Sequence, residues 1–389
     1  MFKTKCILKE MQSLFSRYEF RNLVEKYKGD KNVRIFSTWE MNTVLLYSQL
    51  TGKSSLRDIE ISLRSKSNNW AHMGIKSISR NNLSNSLMKR DYRIFEELFY
   101  KLHSKMLKLQ FSNKDKRFKI PNKLIAIDST TIPLCLNLCS WAKFRKEKGG
   151  VKVHTLYNVK NQIPDFAIIT NASDHDIRAA AKMPFEKDGI YIFDRAYFGV
   201  KLFKNINEKG AFFVTRTKTN AKYRIIRKKI IGGTNKIEDI IVDFTDQKKS
   251  VYSERLRVVR YYDPLQKKTY EFITNNTSAS AEEIAAIYKA RWDIELFFKH
   301  IKQNLKIRHF YGTSENAVKI QIWTAMISVL LINYIRFISK SFFSTTEIIR
   351  IIRENMFCGK TLRELLIPDK YGAKSFKQEI YAVQGYLWN

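Results

Sequence analysis

The stretch from Ala281 to Ile307, AEEIAAIYKARWDIELFFKHIKQNLKI, restricts the fold of this chain more than any other. It contains neither Pro nor Gly, so nothing in its composition interrupts a helix. It starts after Ser280 with two glutamates and becomes basic towards its end, which is the charge order that a helix dipole favours. We therefore predict one long helix over these residues.

The predicted helix has two chemically different faces. At about 100° per residue, four polar side chains fall within one narrow band, here called the polar stripe: Tyr288, Arg291, Glu295 and Lys302. The opposite face is apolar and comprises Ala290, Ile294, Phe297, Phe298, Ile301 and Leu305. A solvated face on an amphipathic helix is the simplest interpretation of such a stripe taken alone. Residues upstream favour a functional interpretation.

The composition indicates a polyanionic partner. The 389 residues include 70 Lys and Arg but 37 Asp and Glu, so the formal net charge is +33. The basic residues are spread along the chain, which fits a broad nucleic-acid-binding surface better than a charged tail. The four cysteines lack zinc-type spacing and favour reduced thiols in a cytosolic protein. The apolar run Ile322–Ile338 contains Asn333 and Arg336 and predicts a buried helix, not a membrane span.

The first 109 residues predict helices. Apolar residues recur at three- and four-residue spacing in Phe20–Tyr27, Ser37–Leu50, Ser55–Ser62 and Asp91–Leu109. A shorter helix is predicted over Ser79–Lys89, after a Gly-containing turn at residues 73–76. Its small polar and basic side chains suit a helix-turn-helix reader of DNA, and an ordinary polar surface helix explains them equally well.

Beyond a polar connector at residues 112–119, the pattern changes to strands and helices. The predicted strands are Lys123–Asp128, Val151–Val159, Asp165–Thr170, Gly189–Asp194 and Ala211–Thr215, with helices at Asp174–Met183 and Val200–Lys209. Further β-rich runs follow at Tyr223–Ile231, Ile237–Phe244, Arg255–Tyr262 and Thr269–Thr274. This order predicts an α/β layer interrupted by a β insertion ahead of the long helix.

Two of the predicted strands end in an aspartate, at Asp128 and Asp194. Functional groups of an open sheet gather at the carboxyl ends of its strands, so both carboxylates are expected at one crevice, and Glu295 would add a third. Carboxylates are hard oxygen ligands for Mg²⁺ or Mn²⁺, and two such ions can promote phosphodiester displacement. A strand-end Asp is more often a turn residue, but the polar stripe and the charge of +33 favour a site here.

Other polar residues fit a catalytic role less well. His154 lies in a predicted strand without a second ligand at metal spacing, so a core or surface histidine is the simpler interpretation. The sequence Asp174-His175-Asp176 is explained by a helix cap at Asp174. No Gly-rich phosphate loop is present, which argues against a nucleoside triphosphatase.

Together these features resemble the DDE transposases of bacterial insertion sequences. The polar stripe matches at each position the Tyr-x2-Arg-x3-Glu-x6-Lys signature of one large group, the insertion-sequence-four family. Residues 125–159 and the segment IYIFDRAYF are similar to the first- and second-aspartate regions of that group. The segments KYKGDKNVRIF and SLRDIEISLRS resemble the helical domain that commonly precedes such cores.

The resemblance implies an α/β protein with an RNase H-like catalytic core, a β-strand insertion and an all-helical N-terminal domain. The implied helical DNA-binding domain covers residues 1–111. The core covers 120–216 and, with the catalytic Glu helix, 281–345. The β-rich insertion covers 217–280, and a helical C-terminal tail covers 346–389.

The resemblance also implies roles for individual residues. Asp128, Asp194 and Glu295 would be the catalytic residues and the ligands of two Mg²⁺ (or Mn²⁺) ions. Tyr288, Arg291 and Lys302 would bind DNA at the backbone of the transposon end.

The implied function is cut-and-paste transposition, in which the protein binds terminal inverted repeats, hydrolyses a phosphodiester at each end and joins the 3′-OH to target DNA. The implied partners are double-stranded DNA and a second copy in a synaptic homodimer. The implied location is the bacterial cytoplasm at the nucleoid, with no membrane.

Two alternatives stay open. The first is a metal-dependent nuclease on the same fold that cuts without joining, and the second is a catalytically inactive helix-turn-helix regulator. The chain also departs from some relatives, which place a Trp in the insertion to hold a flipped base during hairpin formation. None of the six Trp lies in Thr217–Thr274, so the hairpin route is absent or Tyr252 or Tyr270 substitutes.

Overall fold

The computed structural model describes residues 6–108, 117–118, 120–135, 139–145, 148–219, 221–231, 237–245, 252, 254–263, 266–305 and 310–367. The chain forms two compact units: residues 1–109 with 300–389, and residues 110–299. The division into domains implied by the resemblance stays a prediction, and residues 368–389 of its C-terminal tail lie outside the described residues.

The N-terminal helices are α1 (Ile7–Gln12), α2 (Arg17–Lys26), α3 (Thr38–Thr51), α4 (Leu56–Arg64), α5 (Trp70–Met73), α6 (Arg80–Lys89) and α7 (Arg93–Lys108). The middle of the chain contains β1 (Leu124–Leu134), β2 (Lys143–Arg145), β3 (Lys148–Asn158), β4 (Ile163–Asn171), α8 (Asp176–Ala180), β5 (Ile190–Phe193), α9 (Val200–Glu208), β6 (Phe212–Arg216), β7 (Lys222–Ile231), β8 (Ile237–Thr245), β9 (Leu256–Asp263) and β10 (Lys268–Thr274). The last helices are α10 (Ala281–Lys289), α11 (Trp292–Asn304), α12 (Glu315–Ile338), α13 (Thr345–Asn355) and α14 (Leu362–Leu366).

The helical unit is built around α12. Helices α3, α6, α7 and α13 pack against it, and its Trp323 is 1% exposed with its ring centroid 5.3 Å from that of Phe99. By length and composition α12 could cross a membrane, but 89% of its most apolar window is buried in the protein. The prediction of a buried helix over Ile322–Ile338 is therefore confirmed.

A short helix pair in this unit matches the predicted helix after a glycine turn. Helix α5 ends at Gly74, whose φ of +72° lies in the left-handed region that glycine tolerates best. Helix α6 then begins after Ser79, whose side chain accepts a hydrogen bond from the backbone N–H of Asn82 at 3.1 Å. The helix is confirmed, and its role in reading DNA stays a prediction.

The second unit holds one continuous sheet, in the order β2-β3-β1-β5-β6-β10-β9-β8-β7, with β4 also paired to β3. Strands β1, β5 and β6 run parallel, and β3 is antiparallel to β1. The strands of the predicted insertion extend this sheet, because β10 pairs antiparallel with β6. Stacked rings fill the core beside it, with Phe203 and Phe213 4.3 Å apart between centroids.

Strand β1 corrects one prediction. We expected it to end at Asp128, but it continues to Leu134. The reason is long-range pairing: β3 accompanies β1 from Ile125 to Leu134, whereas the parallel pairing with β5 stops at Ile127 opposite Phe193. It is therefore β5 that ends beside Asp128.

The predicted long helix is a second correction, because the chain is helical on either side of a break between Lys289 and Trp292. At the break the backbone N–H groups of Arg291 and Asp293 donate to carbonyls three residues earlier, at 3.0 and 3.1 Å. Such tight turns interrupt the regular α-helical ladder. Neither Pro nor Gly marks the break, so it could not be predicted from the residue types.

Candidate active site

Asp128 lies in the middle of β1, with its side chain 22% exposed. The backbone N–H of Ser129 donates to its Oδ1 at 2.8 Å. Across the antiparallel pair, Asp128 is opposite Thr155 of β3. The carboxylate is thus carried by a strand inside the sheet and oriented by the backbone N–H of the next residue.

Asp194 follows β5 directly. Its Oδ1 accepts a hydrogen bond from the backbone N–H of Ala196 at 2.6 Å and so caps a short 3₁₀ turn, Arg195–Tyr197. Ile127 and Phe193 are register partners in the parallel strands β1 and β5. Asp128 directly follows Ile127 and Asp194 directly follows Phe193, so both aspartates lie at the same edge of this strand pair. The predicted meeting of these carboxylates at one crevice agrees with this register.

Arg291 connects the first and third carboxylates. Its Nη2 donates to Glu295 Oε1 at 2.6 Å, and its Nη1 lies 3.7 Å from Asp128 Oδ2. The Arg291 side chain is 17% exposed, so the guanidinium is largely removed from water. Its Nε is buried without a hydrogen-bond partner in the described part of the chain. A planar cation therefore lies between two carboxylates and keeps one donor unused.

The charges of this cluster affect one another. Burial raises the pKa of Asp128 to about 6, with smaller increases from the charges of Asp194 and Glu295, while the Ser129 N–H and Arg291 oppose the shift. Burial by itself would lower the pKa of Arg291, but its hydrogen bond to Glu295 and the nearby charges raise it. Asp128 is therefore within electrostatic range of Arg291, Asp194 and Glu295.

Tyr288 lies in the last turn of α10, beside the break. Its ring packs on Phe272 of β10, with centroids 4.8 Å apart, and the Arg291 guanidinium carbon lies 5.9 Å from its centroid. Burial raises the pKa of the phenol. The apolar face predicted for this region is buried as expected, including Ile294 at 0% and Phe298 at 6% exposure. Lys302 lies in the last turn of α11.

The sequence analysis missed Arg216, the last residue of β6. Its strand neighbour Thr215 pairs with Phe193, so Arg216 is level with Asp194. The guanidinium lies 4.9 Å from the ring centroid of Tyr270, and its buried Nε has no hydrogen-bond partner among the described residues. The sequence shows only that a cation directly follows the predicted strand Ala211–Thr215, and the register with β5 is what brings it to the site.

The donor chemistry of the cluster fits a hard divalent cation, since Asp128, Asp194 and Glu295 offer only carboxylate oxygens. The partly buried Asp128 is also a site where added positive charge would relieve repulsion. In the described residues, however, no three His, Cys, Asp or Glu side chains are gathered closely enough to enclose a metal ion. Arg291 stands between two of the carboxylates instead.

The structure also tests the predictions for three other polar residues, His154, Asp174 and Tyr252. His154 is completely buried, with its Nε2 3.0 Å from Thr170 Oγ1, which agrees with a core histidine. The predicted helix cap at Asp174 is wrong. Helix α8 starts at Asp176, so its N-cap residue is His175, whose side chain makes no capping hydrogen bond. Tyr252 is 4% exposed, so it is not available on the surface to hold a base.

Comparisons with known proteins identify the family of this chain. Residues 120–331 match the model of the transposase DDE domain, and residues 3–76 match a domain of unknown function. A Sinorhizobium fredii protein with a transposase name is 34% identical over 258 residues, covering 64% of this chain and 69% of the relative. A Geobacillus stearothermophilus protein, named for an insertion sequence element, is 31% identical over 62% of this chain and 65% of the relative. A similarly named Synechocystis protein is 28% identical over 66% and 72%.

Proposed function

Because the chain belongs to the family of DDE transposases of bacterial insertion sequences, we propose that Asp128, Asp194 and Glu295 are its catalytic carboxylates. The protein is an enzyme of DDE-type phosphodiester chemistry, and its substrate is DNA. The observation that carries the assignment is the joined cluster: Arg291 contacts both Asp128 and Glu295, and the charge of Asp194 raises the pKa of Asp128.

DDE transposase domains use divalent metal ions. We propose Mg²⁺ or Mn²⁺, as two ions, with these three carboxylates as the ligands. When bound, such ions activate the attacking oxygen and stabilise the leaving oxygen. The protein's part is to hold the carboxylates on a rigid sheet and a packed helix, where Ser129 and Ala196 orient the aspartates through their backbone N–H groups.

The cations around the carboxylates are proposed to hold the DNA backbone. Arg291 and Arg216 each have an unused buried Nε donor, and a guanidinium can grip a phosphate through two parallel hydrogen bonds. Tyr288 adds a phenol beside them, and Lys302 adds an ammonium further along α11. Binding of phosphate by Arg291 would withdraw it from Asp128 and Glu295, which frees both carboxylates for metal.

The complete reaction that we propose is cut-and-paste transposition. The enzyme binds the terminal inverted repeats, cleaves the ends and joins each 3′-OH to target DNA, as a homodimer in the bacterial cytoplasm at the nucleoid. The order β4-β3-β1-β5-β6, with its first pairs antiparallel and the rest parallel, supports an RNase H-like core. Helix α6 is proposed to read the end sequence.

The test combines the purified protein with duplexes that carry the inverted repeats flanking its reading frame, in Mg²⁺ and in Mn²⁺. We expect cleavage at the repeat and transfer of pre-cut ends into a supercoiled plasmid. Cleavage without transfer would assign the protein to nucleases. Specific binding without cleavage would make it a regulator.

A further inference from the structure

A second polar cluster lies beside Asp128 and has no part in the proposed chemistry. Its centre is Asp176, the first residue of α8. Its Oδ1 accepts a hydrogen bond from Ser129 Oγ at 2.7 Å and lies 3.3 Å from the ammonium of Lys152. Both partners are on strands of the central sheet, so a short helix is fastened to β1 and β3 at this point.

Ser129 links Asp176 to the proposed site. Its hydroxyl is bonded to Asp176, and its backbone N–H is bonded to Asp128 Oδ1. Ser129 therefore makes both hydrogen bonds, one through its side chain and one through its backbone. The side chains of Asp128 and Ser129 point to opposite faces of the sheet, because they are successive residues of one strand. Fixing the Ser129 side chain restricts the backbone that orients the Asp128 carboxylate.

The surroundings of Asp176 leave this hydrogen bond undisturbed. His154 Nδ1 lies 3.4 Å from Asp176 Oδ1, and burial lowers the pKa of this imidazole to about 4, so the ring is neutral near pH 7. Lys152 supplies the charge that opposes Asp176 and also donates to the carbonyl of Asp174 at 2.9 Å. The carboxylate is thus held in place and retains Ser129 as its hydroxyl donor.

The same cluster extends to the second aspartate. Tyr197 ends the 3₁₀ turn that Asp194 caps, and it is 1% exposed. Burial raises the pKa of its phenol, and the charges of Asp176, Asp128 and Asp194 add to that increase. The ionised form of this phenol is therefore disfavoured by all three carboxylates as well as by burial.

We propose that Asp176 is a positioning residue for Asp128, acting through the hydroxyl and backbone N–H of Ser129. This inference depends on the proposed role of Asp128 as a metal ligand. Groups that orient metal-binding side chains commonly change metal affinity by about 10- to 100-fold when removed. Asp176 itself does not contact the metal.

The experiment follows the melting temperature of the full-length protein as Mn²⁺ is added, so that it reports binding without turnover. The variants are Ser129→Ala, Asp176→Ala, their combination, and Asp176→Asn. We expect Ser129→Ala and Asp176→Ala each to need about tenfold more Mn²⁺ for half of the rise. The double variant should need no more Mn²⁺ than either single variant, because each substitution removes the same hydrogen bond between Ser129 and Asp176.

Asp176→Asn separates a positioning residue from a ligand. The amide oxygen of Asn can still accept from Ser129, so we expect its Mn²⁺ requirement to stay close to that of the wild type. Asp174→Asn is the matched control, since it removes the same charge two residues away and keeps the backbone carbonyl that Lys152 uses. Cleavage of a terminal-repeat duplex at limiting Mn²⁺ should follow the same order.

Several outcomes would overturn the inference. A wild-type Mn²⁺ requirement in Ser129→Ala would show that the hydroxyl of Ser129 does not act on Asp128. Ser129→Ala removes only one oxygen atom, so it still tests the inference if Asp176→Ala fails to fold. An Asp176→Asn protein as impaired as Asp176→Ala would make Asp176 a ligand. If Asp128→Asn bound Mn²⁺ as the wild type does, the proposed function would fail first, and the positioning role with it.

Discussion

The carboxylate of Asp128 is partly buried and feels the charges of two others, and Arg291 and the N–H of Ser129 only partly compensate them. We predict that Asp128→Asn, Asp194→Asn and Glu295→Gln each abolish cleavage in Mg²⁺ while end binding persists. Each change removes a charged oxygen ligand with little change of shape, and the surrounding cations remain to hold phosphate. Cleavage and gel-shift assays on the same duplex measure both properties. Near-normal cleavage by any one variant would exclude that residue from the site.

The raised pKa of Asp128 also predicts how stability depends on pH in metal-free buffer. The pKa rises from 3.8 to about 6 on folding, so the folded state favours the protonated acid. Asp128 therefore contributes stability below about pH 4, and this contribution is lost as pH rises through 6, at a cost of about 3 kcal/mol.

Asp128→Asn removes that cost because Asn stays neutral. We expect the variant to melt at a higher temperature than the wild type at pH 8 and to lose this advantage at pH 4. Thermal melting at a series of pH values, with chelator present, measures the difference. An advantage that is equal at both pH values would show that Asp128 ionises normally.

Arg291 is the member of the polar stripe that the structure connects most closely to the carboxylates. We predict that Arg291→Gln lowers cleavage and strand transfer more than Lys302→Gln or Tyr288→Phe, since Gln cannot grip a phosphate through two guanidinium hydrogen bonds. Comparing intact and pre-cut ends separates positioning of the scissile bond from joining. Melting curves serve as the control for folding. Unchanged activity in all three variants would exclude these side chains from DNA positioning.

Secondary-structure elements whose bounds depend on the local residue pattern were predicted best from the sequence. The four β-rich runs of the insertion correspond to β7–β10 with bounds that differ by at most one residue. Prediction failed where distant partners decide: pairing with β3 carries β1 past Asp128, and the break before Trp292 has no Pro or Gly to announce it. Arg216 was missed because its importance depends on its register with Asp194.

Helix α6 presents polar side chains that can be tested for recognition of the terminal repeat. Asn81 and Asn85 are exposed and one turn apart, and Arg80 and Lys89 are exposed at the two ends of the helix. We predict that Asn81→Ala with Asn85→Ala reduces the preference for the terminal repeat over scrambled DNA. Arg80→Gln should instead weaken binding to both duplexes about equally. Competition gel shifts measure the ratio, and an unchanged preference would place end recognition elsewhere.

This test needs the full chain. A fragment of residues 1–110 is no substitute, because its helices α3, α6 and α7 pack against α12, which comes from the other end of the sequence. A fragment without α12 exposes the apolar faces of these helices to water. Its failure to bind would therefore report unfolding and would say nothing about specificity.

The charge of the whole molecule predicts a strong response to salt. With a net charge of +33 and basic residues throughout, the protein should displace many counterions when it binds DNA. We expect the logarithm of affinity to fall linearly with the logarithm of salt concentration, with a slope of about −0.9 per phosphate contacted. Binding to scrambled duplex should decline in parallel. A shallow slope would restrict the contact to few phosphates.

The pairing of residues 1–109 with 300–389 in one compact unit has a consequence for protein synthesis. A ribosome that has translated half of this sequence has released α3 and α7, but not α12, which packs against both. The unit can close only after residues 310–338 have left the exit tunnel. A message cut short before that point yields a product with an open helical core, which suits degradation by proteases better than competition with the complete enzyme for DNA ends.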